Sequence, residues 1–140
     1  MAMINAKLAI TSVEMSLADI SQVMGHSSSG GFDRGTPRRG AGVYEHTLWN
    51  LELGGVGDNL FGVYGLTGAI ERLGVDLADR VRLLVERGCD ATVGIYQEFV
   101  PNEDESGHGI HLDADAVAWV SRAGASIDVD QYVLRATDQA

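Results

Sequence analysis

FDRGTPRRGAGVYEHTLWNLEL, Phe32 to Leu53, is where a loop hands over to a strand, and its reading sets the fold class. The first half is rich in glycine and basic, with Arg34, Arg38 and Arg39 inside six positions. The second half alternates. Val43, Glu45, Thr47, Trp49, Leu51 and Leu53 share one side of an extended chain, and Tyr44, His46, Leu48, Asn50 and Glu52 share the other. The side carrying Trp49 is the more apolar, so a strand is expected over roughly 43–53 with Trp49 in the core.

Upstream, KLAITSV (7–13) also alternates and reads as a first strand. Ser16 and Asp19 then form an approximate capping box for a helix over 17–24. Leu17, Ile20, Val23 and Met24 would face inward, and Gly25 would close the helix in the left-handed conformation. The Gly/Ser-rich composition predicts a mobile loop over 26–42.

Downstream, Leu66, Ile70, Leu73, Leu77, Val81 and Leu84 keep helical spacing across Gly74. Two helices are expected, about 66–73 and 77–87, with Asp76 and Asp79 marking the start of the second. CDATVGIYQEFV (89–100) alternates, with Ala91, Val93, Ile95 and Gln97 on one face. With the acidic turn 101–107 and HGIHLD behind it, it reads as a hairpin. Asp113 caps a helix over 114–123, with Val117 and Val120 inward and Gly124 at its end. SIDVDQYVL (126–134) is the last strand, with Ile127, Val129 and Val133 expected to be buried, and 136–140 reads as a frayed tail.

The chain is thus expected to be one α+β domain over 1–140, a mostly antiparallel sheet with helices on one face. Its last six elements follow the ferredoxin-like βαββαβ order behind an extra strand and helix. The length, with 45% hydrophobic and 21% charged residues, suits a soluble single core without disulfides.

The charge is more unusual. The net value is −10, and Lys7 is the single lysine. Such a chain is repelled by nucleic acid and by anionic membranes; the charge suits a basic protein partner or simply keeps the protein soluble. Between Glu98 and Asp130 eight acids face one base, Arg122. Glu103, Asp104, Glu105, Asp128 and Asp130 are therefore the expected partner-binding residues. The N-terminus lacks the apolar core of a signal peptide, so a cytoplasmic protein is expected. Spare sheet edges permit a homodimer.

Chemistry-bearing patterns are few. Arg34, Arg38 and Arg39 on a glycine-rich backbone could grip a phosphate or carboxylate, though no Walker or dinucleotide spacing accompanies them. The bland alternative pairs them with acids of the same chain such as Asp128 and Asp130. His108 and His111, three apart on a strand, would point to opposite faces, so no metal site is expected. Cys89, the lone cysteine, reads as a buried structural thiol. Nothing supplies a catalytic set, and no cofactor is expected.

The order of features resembles the bacterial family known as domain of unknown function 4279. The residues that carry the likeness are DRGTPRRG (33–40), WNLE (49–52) and AGASIDVDQY (123–132), spread over roughly residues 7–133. The Gly/Ser-rich approach to Arg34 and the acidic turn at 101–107 depart from the family pattern. The resemblance implies the fold and no reaction. By analogy with small domains of this kind, an immunity-like or anti-defence inhibitor that binds a basic site on another protein is the expected function. An anionic-ligand binder built on the arginine loop is the alternative.

Overall fold

Leu8 and Ile10 alternate with Lys7, Ala9 and Thr11, so the first strand has one apolar face to bury, and it becomes the central strand of the sheet. The computed structural model describes residues 3–54, 65–100 and 109–134. Its elements are β1 (Met3–Ser12), α1 (Leu17–Met24), β2 (Gly30–Phe32), β3 (Thr47–Glu52), α2 (Gly65–Glu71), α3 (Gly74–Glu86), β4 (Asp90–Phe99), α4 (Ala114–Ala123) and β5 (Ser126–Val133). The sheet order is β2-β3-β1-β4-β5, antiparallel throughout except for the parallel β4–β5 pair.

Register decides which residues meet. Ile10 lies between Trp49 and Ala91, and Leu8 lies between Leu51 and Val93. These side chains form one face and pack against Ile20 and Met24 of α1, Val81 and Leu84 of α3, and Trp119 and Val120 of α4. Each such side chain removed from water contributes roughly 1.5–3 kcal/mol. The expected α+β class, with helices covering one face of a mostly antiparallel sheet, holds.

The ends of α1 follow from its local chemistry. Ser16 Oγ accepts from the Asp19 amide at 3.1 Å, the Asp19 carboxylate accepts from the Ser16 amide, and Gly25 closes the helix at φ 70°. A long-range cap is added when Asp33 Oδ1 accepts from the Leu17 amide at 2.7 Å. This negative group lies at the positive end of the helix dipole.

Several expectations are corrected. The first strand begins at Met3, and the Trp49 strand is shorter than 43–53. The segment expected as a loop over 26–42 contains β2, which pairs with β3, and a small hairpin closed by Pro37 and Val43. Gly31 is the reason β2 can pair so closely. Its φ is 129°, and a Cβ there would stand 1.9 Å from the Leu48 carbonyl oxygen.

The break between α2 and α3 falls at Gly74 as expected, but α3 starts there and not at Leu77. Its N-cap is Leu73, without a side-chain cap; Asp76 instead pairs with Arg80 at 2.9 Å. On α4 the inward set is Ala116, Trp119, Val120 and Ala123, and Val117 is exposed. The true stripe follows the i, i+3, i+4, i+7 spacing through Trp119.

Residues 109–113 are not a strand, and the neighbours of β4 are β1 and β5, so the expected hairpin is replaced by a parallel pairing across α4. The ferredoxin-like core, which needs that hairpin, is not seen among the described residues. β5 is an edge strand. Ile127 is half-buried there, and Val129 and Val133 are 45% and 55% exposed, against the expectation of burial.

Candidate functional site

The helices leave the second face of the sheet uncovered by any described element. By strand parity it carries Lys7, Ala9 and Thr11 of β1, Leu48 and Asn50 of β3, Thr92, Gly94, Tyr96 and Glu98 of β4, and Asp128, Asp130 and Tyr132 of β5. Its β4–β5 end has a distinct chemistry. Tyr96 stands opposite Asp130 and Glu98 opposite Tyr132 in the parallel register. The rings of Tyr96 and Tyr132 are 5.0 Å apart at 33°, and the Tyr96 hydroxyl donates to Glu98 Oε1 at 2.5 Å. That bond holds the proton on the phenol. Together with desolvation and the negative charge of Glu98, it pushes Tyr96 up to about 12. Two aromatic faces rimmed by Glu98, Asp128 and Asp130 make a surface suited to ammonium or guanidinium groups.

The two expected partner-binding residues that are described, Asp128 and Asp130, are thus exposed on this face. Glu103, Asp104 and Glu105 lie outside the described residues, as do His108 and the tail 136–140.

The arginines of the 34–39 loop do not act as one group. Arg34 Nη1 donates to the Val13 carbonyl at 2.7 Å while its amide donates to Thr47 Oγ1. Arg38 lies over the Tyr44 ring, 5.5 Å from its centroid, and Tyr44 stacks on Phe32 at 3.5 Å. Arg39 is exposed in the turn that the Arg38 amide closes on the Gly42 carbonyl. Asp128 and Asp130 stand on the far edge of the sheet, four strand spacings or roughly 19 Å from β2. Arg34 and Arg38 therefore find backbone and ring partners, in place of the expected pairing with those two acids.

A second polar feature joins α2 to α4. Asp113 caps α4 by accepting from the Ala116 amide at 2.9 Å, and its own amide donates to Thr67 Oγ1. Glu71 hydrogen-bonds the Asp113 carboxylate. That bond, desolvation and the charges of Asp113 and Asp115 raise Glu71, whereas the Ala116 amide and then Glu71 hold Asp113 low. Of the two carboxyls Glu71 is thus the easier to protonate and Asp113 the harder. Beside them Glu71, Val75, Asp115, Trp119 and Arg122 border an open cleft of about 570 Å³. Trp119 forms part of its wall and donates from Nε1 to the Gly74 carbonyl at 2.8 Å.

Cys89 is buried against Met15, with burial pushing its thiol up. His111 is exposed in the irregular stretch before α4 rather than on a strand. Among the described residues no group of three or more His, Cys, Asp or Glu is placed to hold a metal ion. No helix among them is long and apolar enough to cross a membrane.

Sequence reasoning missed the Tyr96–Tyr132 pair, Glu98 as its partner, the Glu71–Asp113 pair and Trp119. The i, i+2 spacing of Tyr96 and Glu98 was the available signal for one of them. The others depend on which segments become neighbours.

Fold and surface together define an α+β protein with an open five-stranded sheet, one face under helices and the other uncovered by any described helix. The chain belongs to the family Domain of unknown function (DUF4279), whose model matches residues 2–134. No curated protein and no solved structure matches it.

Proposed function

We propose that this chain is a non-enzymatic binding protein of the cytoplasm, an immunity-like or anti-defence inhibitor that occupies a basic site on another protein. The observation that carries the reading is the Tyr96–Tyr132 pair rimmed by Glu98, Asp128 and Asp130 on a sheet face that no described helix covers. Aromatic rings supply cation–π attraction, and the carboxylates supply charge-assisted hydrogen bonds to the same Lys or Arg head. The net charge of −10 adds long-range attraction and speeds association.

The anion-binding reading of Arg34, Arg38 and Arg39 ranks second, because the first two already have the Val13 carbonyl and the Tyr44 ring as partners.

The test is capture from native lysate at low and high salt, using the wild type and the Asp128→Lys/Asp130→Lys variant side by side. One stoichiometric basic protein, held by the wild type, released by salt and lost by the variant, is the expected result. Its own activity should then fall on titration with the wild-type chain. Retention that neither salt nor charge reversal changes would sink the proposal.

A further inference from the structure

We propose that the cleft along α4 is a binding site for a small zwitterion, with an ammonium and a carboxylate at the two ends of an apolar body, as in a dipeptide of apolar residues. The site lies in the helical layer, apart from the β4–β5 surface, and goes beyond the basic-partner reading.

The cleft holds about 570 Å³, within the range of small-molecule sites. On α4, Asp115, Ala118, Trp119 and Arg122 follow the i, i+3, i+4, i+7 spacing, so one stripe of the helix lines the cleft from its first turn to its last. Seven residues place Asp115 and Arg122 about 10 Å apart along the axis. Glu71 of α2 and Val75 of α3 complete the lining.

The two ends of the stripe differ in charge. Asp115 is near enough to Glu71 for their charges to interact, which makes its end acidic. At the other end Asp79 fixes the Arg122 guanidinium, accepting from Nε at 2.8 Å and from Nη2 at 3.2 Å. Nη1 makes no hydrogen bond among the described residues and stays a charged donor suited to a carboxylate. Between the ends the surface is apolar. Trp119 is fixed there by its bond to the Gly74 carbonyl. Val75 is 55% exposed and the Arg122 side chain 53%, so both are open to a ligand. Two extended residues span about 7 Å. A charge-assisted bond of about 2.8 Å at each end lets such a chain reach both charges. A simple anion would instead meet three carboxyls, Glu71, Asp79 and Asp115.

The test uses the full chain labelled with nitrogen-15 and follows its two indole N–H signals as the dipeptide Leu-Leu is added. Trp119→Phe identifies the Trp119 signal. Millimolar Leu-Leu should move that signal and leave the one from Trp49, which is fully buried, in place. N-acetyl-Leu-Leu and Leu-Leu amide should each bind at least tenfold more weakly. Asp115→Asn should bring the acetylated peptide within threefold of Leu-Leu while the amide stays weak, and Arg122→Gln should do the reverse. Misfolding cannot produce such one-ended losses.

A Trp119 signal that does not move would overturn the proposal. Equal binding of all three peptides would overturn it in favour of apolar contact alone. Equal binding of Leu-Leu and its amide would give the cleft to amines in general and refute the zwitterion. Asp128→Lys/Asp130→Lys should keep dipeptide binding, so these outcomes are separate from the lysate capture.

Discussion

Trp49 is fully buried, and its Nε1–H reaches Ser21 Oγ at 2.9 Å, so a single hydrogen bond ties the core of β3 to α1. Three variants separate that bond from the packing around it. Ser21→Ala removes the acceptor and leaves a buried indole N–H unpaired, which costs about 1–3 kcal/mol. Trp49→Phe removes both the donor and about three heavy atoms of ring. At about 0.8 kcal/mol per buried CH₂ equivalent, plus the residual cavity, it should cost about 2–4 kcal/mol. The double variant has no orphaned donor, so it should be less destabilised than the sum of the singles by about 1 kcal/mol. Urea unfolding at fixed pH reads all four free energies, provided the m-values agree. Additivity within about 0.3–0.5 kcal/mol would refute the argument, because it would mean that the bond contributes nothing beyond its separate parts.

Gly31→Ala forces a Cβ into the Leu48 carbonyl at a φ that glycine favours, a strain of at least about 1–3 kcal/mol that β2 can relieve by leaving β3. Amide exchange at Ser29, which donates to the Asn50 carbonyl, should then quicken at least tenfold while β1 and β4 keep their protection; unchanged exchange at Ser29 would count against this. Glu71→Gln tests the coupling of Glu71 to Asp113. Because Glu71 is raised above 4.5, its favourable contribution is complete below that value and disappears as pH climbs through its folded-state pKa. The Gln variant keeps a donor for Asp113 at every pH, so its melting temperature should exceed that of the wild type near pH 8. The gap should narrow as pH falls toward 4.5, and a gap independent of pH would refute the coupling.

The limits of α1 were legible to the residue because Ser16, Asp19 and Gly25 act within one turn of themselves. Trp49 and the buried side of β4, down to Gln97, were legible because strand alternation needs only the chain itself. What failed depended on distant partners. β2 carries two glycines in three residues and looks like a loop until β3 lies beside it. Val129 and Val133 have the pattern of a buried strand, but burial requires a neighbour on each side of β5, and β4 is the only one described. Composition pointed to a tight arginine cluster. The structure pulls Arg34 toward Val13 and Arg38 onto Tyr44, because a guanidinium beside a carbonyl or a ring takes those contacts first. Of the candidate site, Asp128 and Asp130 were legible as charges. The tyrosine pair beside them needed the parallel β4–β5 register.

That same register fixes the reach of the acidic edge. Its carboxylates and the arginine hairpin stand at opposite ends of the strand order, roughly 19 Å apart across four spacings. The Debye length at physiological ionic strength is about 8 Å, so the hairpin cannot neutralise the field over β5. Arg122, the one base between Glu98 and Asp130, is held 2.8 Å from Asp79, a bond that raises the arginine and lowers the carboxylate. Arg122 is thereby tied to α3. The described charges of β5 itself, Asp128 and Asp130, are both acidic, and the nearest described base across the sheet is Lys7, in the row of Gly94 and Asp128. Under the proposed function these two carboxylates, exposed beside the Tyr96–Tyr132 pair, are the charges a basic partner would meet first.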